Sequence, residues 1–323
     1  MPTQEETLRN SVTRKEFLTL SGAAAVASWL PRVTAAQAAA LNITEVAPGL
    51  FVHKGHHALV SPENGGDISN LSIIIGKDAV AVVDTGGSAL VVRGLRDAIK
   101  AITDKPIRYV INTHMHPDHI FGNAAFDADK PAFVAHHKMA RGLSARADNY
   151  IKSNTRMIGD AAFAGSTVVM PTEHVKDRLE IDLGDRVLTL IARPTAHTDN
   201  DLTIFDQSTG TLILGDLLFS EHIPTLDGSI AGWIKLIETL RSESAKRVVP
   251  GHGPSSMTWP DALVPLDRYL RRIADDVRSM IKAGDPISEA VKTAGAQEKA
   301  QWLLSDEFHV RNVTAAYAEL EWE

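Results

Sequence analysis

Apolar residues recur along this chain at two periods, and the places where the period changes mark its elements. "LFVHKG" from Leu50 and "NLSIIIGKDAVAVVDTGG" from Asn70 are short apolar runs, rich in Val and Ile and bounded by Gly, Asn and Asp, which predicts strands. Helical spacing takes over at Ala89 to Ile102, and "IRYVINTH" from Ile107 returns to a strand. Further on, "EIDLGDRVLTLIARPTAHT" and "DLTIFDQSTGTLILGDLLF" each read as two strands about a turn, at Gly184-Asp185 and at Ser208-Thr209-Gly210. Leu263, Leu266, Leu270, Ile273, Val277 and Ile281 sit at helical spacing within Pro260 to Ala283, and Phe308 to Leu320 reads as a last helix. Strands and helices sharing one chain in this way predict an α/β sandwich. The stretch from His136 to Ala164 reads as a long polar-studded helix, a surface helix by preference and a cap over a ligand site as the other reading. Loop 55–67, "GHHALVSPENGGD", is longer than a hairpin requires and reads equally as a flap near a ligand or as an ordinary exposed loop.

Composition narrows the classes. A chain of 323 residues, 44% hydrophobic, can bury a large core. Its net charge of −7 argues against nucleic acid as a partner, because phosphate recognition concentrates Lys and Arg. Without a single cysteine, neither disulfides nor thiolate ligands are available, so any bound metal must be held by His, Asp or Glu. At the N-terminus, Arg9, Arg14 and Lys15 precede the uncharged stretch "FLTLSGAAAVASWLP" from Phe17, with the small-residue site "AQA" at Ala36 to Ala38. Residues 1–38 are therefore expected to be an export signal and 39–323 the working domain, with the product periplasmic or exported. The uncharged stretch is too short to span a bilayer, so no stable membrane insertion is expected. "TRKEFLTL" resembles a twin-arginine signal in which Lys15 stands where the second arginine belongs.

The chemistry concentrates in "NTHMHPDH", Asn112 to His119. Random placement of residues of this composition would yield His-x-His-x-Asp-His about 0.0015 times in such a chain, so the cluster calls for a cause. Imidazole and carboxylate are the usual nitrogen and oxygen ligands of zinc and similar ions. Four ligands in one motif exceed the three that a catalytic zinc takes, so two ions fit better: His114 and His116 point to one side of an extended stretch, while Asp118 and His119 lie in the turn after Pro117. Three downstream residues, each following an apolar strand and a short turn, are candidates to complete the shells: His197, Asp216 and His252.

Taken together, Asp84 in "VVDTGG", "THMHPDH", His197 in "AHT", Asp216 in "LGDLLF" and His252 in "PGHG" resemble the metallo-β-lactamase superfamily in order and spacing. That resemblance implies a four-layer αβ/βα sandwich with a metal cleft at one edge. It implies His114, His116 and His197 around a first ion, Asp118, His119 and His252 around a second, Asp216 bridging both, and Asp84 orienting a ligand imidazole. Asp216 stands where the best-known zinc β-lactamases have cysteine, so the ligand set is similar to that of glyoxalase II instead. "HPDHIFGNAAF", "AHTDNDLTIFD" and "HIPTLDGSIAGWIKLIETL" look most like the exported quinoprotein relay system zinc metallohydrolases, which implies a periplasmic quinoprotein or sulfur-oxidation system as partner.

The expected activity is therefore that of a hydrolase with two Zn2+ per chain, iron or manganese being acceptable to the same ligands. A metal-bridging hydroxide would attack a carbonyl centre of a small-molecule thioester, lactone, ester or amide, with Asp118 orienting the nucleophile or taking its proton. Two other readings follow from the resemblance: a mononuclear iron persulfide dioxygenase, and a metal-binding accessory protein without turnover. His222 and His57 are candidates for the substrate pocket. His136, His137, His174 and His309 read as structural or surface residues, and Trp233, at helical spacing with Leu236, Ile237 and Leu240, as core.

Overall fold

A strand buried along its whole length must be covered on both faces, and the apolar runs of this chain are of that kind. In the computed structural model, which describes residues 41–323, they form two sheets. The first contains β1 (Ile43–Ala47), β2 (Leu50–His53), β3 (Leu71–Ile75), β4 (Val80–Val83), β5 (Ile107–Ile111), β6 (Ala132–His136) and β7 (Glu173–Val175), neighbours in sequence order. It is antiparallel as far as β4 and parallel from β4 to β7. The second contains β8 (Arg178–Asp182), β9 (Val187–Ala192), β10 (Leu202–Asp206), β11 (Thr211–Phe219), β12 (Arg247–His252) and β13 (Met257–Thr258), again in sequence order, with only β11 and β12 parallel.

Alternation along each strand sends side chains to different layers. Ala81 and Val83 of β4 pack with Ile111, Leu190, Ile204 and Ile213 in a core between the sheets, while Val80 and Val82 face outward onto Val91, Val92, Leu95 and Ile99 of α1 (Ala89–Ile102). Likewise Ile213 of β11 points inward, and Leu212 and Leu214 point to a helical layer. That layer is built from α5 (Ile230–Arg241), α6 (Leu263–Ala283) and α8 (Ser305–Leu320), through Trp233, Leu236, Leu266, Ile273 and Val313. The result is an αβ/βα sandwich of four layers. Trp233 lies fully buried in it and donates its indole N–H to the Leu217 carbonyl, 3.2 Å.

The remaining helices are α2 (Pro117–Ile120), α3 (Met139–Ile158), α4 (Asp160–Phe163) and α7 (Ile287–Thr293). The helix read from His136 begins later, at Met139, because "AFVAH" is a short, largely buried run that pairs in parallel with β5 and β7 as strand β6 and ends at His136. It also breaks at Gly159, φ +89°, leaving α4 as a separate turn. The export signal expected over 1–38 lies outside the described residues. Among the described residues no helix is long and apolar enough to cross a membrane.

Candidate metal centre

Ligand-type residues cluster where strands end at one edge of the sandwich. Asp84 follows β4, the motif His114 to His119 follows β5 and enters α2, His197 lies beyond β9, Asp216 sits within β11, and His252 closes β12. Pro117 occupies the first helical position of α2, where its missing N–H costs nothing, so the chain turns and presents Asp118 and His119 together. Two glycines make the packing possible. Gly215 adopts φ +52°, and a Cβ there would stand 2.5 Å from the Thr113 side chain; at Gly251 it would stand 2.0 Å from Asp216 Oδ1.

The side chains gather in two sets. Donor atoms of His114, His116, His197 and Asp216 form one, and those of Asp118, His119 and His252 the other, with the atoms of each set within 4.8 Å of one another. Asp216 faces both: Oδ2 lies 3.7 Å from His114 Nε2, 3.5 Å from His197 Nε2 and 3.4 Å from His252 Nε2, and Oδ1 lies 3.2 Å from His119 Nε2. Asp118 Oδ2 stands 3.4 Å from His119 Nε2 and 3.3 Å from His252 Nε2.

Behind the site, each imidazole is pinned through its outer nitrogen. His119 Nδ1 donates to Asp84 Oδ2 at 2.8 Å, His197 Nδ1 to the Thr225 carbonyl at 2.7 Å, His252 Nδ1 to the Ile68 carbonyl at 2.9 Å, and His116 Nε2 to Asp227 Oδ2 at 3.0 Å. Thr113 Oγ1 donates to Asp84 Oδ2 at 2.7 Å, so its own lone pairs accept from His114 Nδ1 at 3.0 Å. Asp84 holds all this from a left-handed backbone, φ 59°, a conformation short acidic side chains tolerate. These partners set the tautomers, so that each inner nitrogen is the one free to offer its lone pair to a cation.

Bare lone pairs converging in a dry place need a cation. His197 Nε2 and His116 Nδ1 face each other at 3.0 Å, and the fully enclosed atoms His114 Nε2, His119 Nε2 and Asp216 Oδ1 have no hydrogen-bond partner. Metal ions fit these donors, which are nitrogen and oxygen only. Without metal, protons do part of the work: burial opposes charge on His252, but Asp216 and Asp118 outweigh it and push its pKa up to about 9. For His119, burial is likewise outweighed by Asp216, Asp118 and Asp84, and its pKa stands well above the ordinary value. His197, by contrast, is driven down to about 3 by burial.

A cleft of about 280 Å³ opens onto this centre. His116, Asp118, Asp216 and His252 form its floor, and Ile68, Phe219 and Phe308 give it apolar walls. His222 lines it as well, its ring tilted against that of His252 with centroids 5.0 Å apart, and burial lowers its pKa to about 4. His57 does not line it; its Nδ1 pairs with Glu221 Oε2 at 3.1 Å. The polar helix α3 contributes Arg146 and Tyr150 to the cleft wall, so its polar positions face a site as well as solvent. Loop 55–67 is strapped to the body by His53 to Asp67, 2.8 Å, and by Ser88 Oγ to the Gly65 carbonyl, 2.6 Å; the residue beyond it, Ile68, is the one that reaches the cleft.

Sequence reasoning missed several residues. Asp227 orients His116 and is clamped by Arg146, and the buried Asp201 fixes the His197 turn by accepting from Thr198 N at 3.0 Å and Thr198 Oγ1 at 2.6 Å. Burial lifts Asp201 to a pKa of about 8 despite those bonds. Asp227 had a visible signal as the lone acid between His222 and Glu238. Ile68 and Thr225 act through main-chain carbonyls, which no residue type announces.

Residues 64–252, from the strapped loop to the last histidine of the site, match the metallo-beta-lactamase superfamily. The chain belongs to that superfamily. Its similarity extends to an acyl-coenzyme A thioesterase of Homo sapiens, 26% identical over 221 residues, covering 58% of this chain and 74% of the relative. A linear primary-alkylsulfatase of a Pseudomonas species is 24% identical over 210 residues, 54% of this chain and 40% of the relative. Among solved structures, a metallo-beta-lactamase from Pontibacter korlensis superposes with a TM-score of 0.58 at 20% identity, covering 72% of this chain and 99% of its own. A sec-alkyl sulfatase superposes with a TM-score of 0.65 at 16% identity, covering 86% of this chain and 50% of its own. The fold of these superfamily structures is the fold described above, and the superfamily and its hydrolase relatives make the chain a metal-dependent hydrolase.

Proposed function

We propose that this protein is a dinuclear zinc hydrolase that cleaves a small acyl compound at its carbonyl, a thioester, lactone, ester or amide. The observation that carries the reading is the pair of donor sets sharing Asp216, with their lone pairs turned inward and their outer nitrogens pinned. His114, His116 and His197 would hold one ion, Asp118, His119 and His252 the other, and Asp216 both. Two divalent cations held there supply a water of lowered pKa and an electrophile for the carbonyl oxygen. The chain does the rest. Asp118, its carboxyl held well below the usual range because His119 and His252 outweigh its burial, stands ionised at the cleft floor and accepts the proton of the attacking water at its carboxylate. Ile68, Phe219 and Phe308 shed water and hold the acyl portion. Similarity to a thioesterase favours a thioester among the four bonds.

The convergence of His119 and His252 on Asp118 favours two ions over the single iron of a persulfide dioxygenase. Export to the periplasm and service to a quinoprotein system belong to the same proposal and rest on the N-terminal pattern and on the resemblance to the quinoprotein relay hydrolases. Fractionation of cells producing the full chain tests the first.

Elemental analysis of protein purified without chelator, beside His252→Ala, tests the centre. Near two zinc per chain, falling towards one in the variant, with hydrolysis somewhere in a panel of thioesters, lactones and esters, is the expected result. One iron per chain, unchanged in the variant and accompanied by oxygen uptake with persulfides, overturns it. Full zinc loading without hydrolysis of any substrate makes the protein a metal-binding accessory instead.

A further inference from the structure

The outer wall of the cleft carries a cation that no carboxylate among the described residues neutralises. Arg146 and Arg311 are the two guanidiniums lining it. Arg146 is already committed to Asp227. The Arg311 guanidinium has no carboxylate within 4.0 Å among the described residues and makes no hydrogen bond to any of them, whereas those of Arg268, Arg271 and Arg278 on the neighbouring α6 each do. An exposed, unpaired arginine is common on surfaces; its placement here is what matters.

Arg311 sits one helical turn from Phe308 on α8, and both face the cleft while His309 and Asn312 turn to the core. The helix that carries it is bolted to the metal centre. Asn312 Nδ2 donates to the Pro224 carbonyl at 2.7 Å and its Oδ1 accepts from Leu226 N at 3.0 Å, bracketing Thr225, whose carbonyl orients His197. Glu319 caps α5, accepting from Ser229 Oγ at 2.6 Å and Ile230 N at 2.7 Å. An aromatic ring and an unpaired guanidinium are thus carried beside the reacting centre on a helix whose backbone is anchored to it, which is an arrangement that can select one end of a substrate while the other reacts. Charge points the same way. Asp118, Asp216 and Asp227 exceed the two arginines by one negative charge, and two divalent ions would reverse that sign, in a protein otherwise acidic.

We propose that Arg311 is the specificity residue of the cleft and that the substrate carries a fixed oxyanion, a carboxylate or a sulfonate-type group, at the end remote from the scissile carbonyl. The proposal rests on the hydrolase reading above. In it, Arg311 donates paired N–H groups to the oxyanion, Phe308 covers the chain between, and no bond at that end is made or broken.

The test compares zinc-loaded wild type, Arg311→Ala and Arg311→Lys on two esters of one leaving group, p-nitrophenyl hemisuccinate and neutral p-nitrophenyl butyrate. Arg311→Ala is expected to lower kcat/KM for the hemisuccinate by about 10- to 100-fold and to leave the butyrate within about twofold, with Lys intermediate. Equal losses on both esters, or none on either, overturn the proposal. Calorimetric binding of glutarate against butyrate gives a readout independent of turnover. Butyrate reports the metal-facing carboxylate alone, so a glutarate advantage that vanishes in Arg311→Ala supports the oxyanion site even if neither ester is cleaved, and the absence of such an advantage overturns it. 4-Sulfobutanoate in place of glutarate shows which oxyanion Arg311 prefers. Failure of wild type to hydrolyse either ester, with the glutarate advantage intact, would count against the hydrolase reading alone.

Discussion

An imidazole is useful to a metal only if its ring is aimed and its proton is on the far nitrogen, and five histidines here meet both conditions through five different partners. Asp227 is the most informative of these, because it reaches His116 from 111 positions away and is itself held by Arg146. Asp227→Asn keeps the shape but supplies an amide where the His116 N–H needs an acceptor of full negative charge. Zinc affinity, read by competition with a chromophoric chelator, should fall about 10- to 100-fold, and Arg146→Met should cost less than Asp227→Asn, since the carboxylate would remain. An affinity unchanged in Asp227→Asn would mean that packing alone aims His116. The histidines and aspartates of the motif were legible in the sequence because metal chemistry demands those residue types at close spacing. The Ile68 and Thr225 carbonyls were not, since any residue supplies a carbonyl, and Gly251 was not, since its reason is the Asp216 carboxylate lying where a Cβ would be.

At the scale of elements, hydrophobic period identified the longer strands and helices, because a strand covered on two faces and a helix covered on one leave different patterns, while short elements such as β1, β6, β7, β13 and α7 went unread. What the pattern could not say is which way an amphipathic helix turns its polar side. α3 read as a surface helix by preference with a cap over a ligand site as the other reading, and α8 as a terminal helix, and each sends two side chains to the cleft, Arg146 and Tyr150 from one and Phe308 and Arg311 from the other. That information lies in tertiary contacts such as the Asn312 bracket. Asn312 is buried, and beyond Pro224 and Leu226 it donates to the Tyr269 hydroxyl at 3.0 Å. Its replacement by Ala leaves a buried carbonyl and a buried N–H without partners, at a cost of about 2–4 kcal/mol. Because the same segment carries Thr225, Asn312→Ala should also weaken zinc binding. Denaturant midpoints and zinc competition on one preparation separate the two effects. Lost stability with undiminished affinity would show that α8 supports the fold without tuning His197.

Across the whole molecule, the site is a seam. His114, His116, Asp118 and His119 hang from the first sheet, His197, Asp216 and His252 from the second, and the apolar core between the sheets holds the two sets in register without a disulfide. Ions bound at this edge would add to the burial and to the few hydrogen bonds that join the two layers, such as Arg186 to the Ile75 carbonyl and Arg247 to the Val46 carbonyl. They would also relieve the crowding of carboxylates and bare nitrogens that the metal-free protein must settle with protons. Metal should therefore act as a staple for the sandwich as well as a reagent. A ligand that binds only the folded state stabilises it by RT ln(1 + [L]/Kd), about 4 kcal/mol when free metal stands a thousandfold above Kd. For a domain of this size that corresponds to a rise in Tm on the order of 8 °C or more per ion. Stripping with a chelator, then dialysing the chelator away, should lower Tm by at least that amount, and added zinc should restore it in two steps. The step belonging to Asp118, His119 and His252 should be absent in His252→Ala while the other persists. A single step common to both proteins would mean that one ion, held by His114, His116, His197 and Asp216, does all the stapling, and that the second set serves the reaction without joining the sheets.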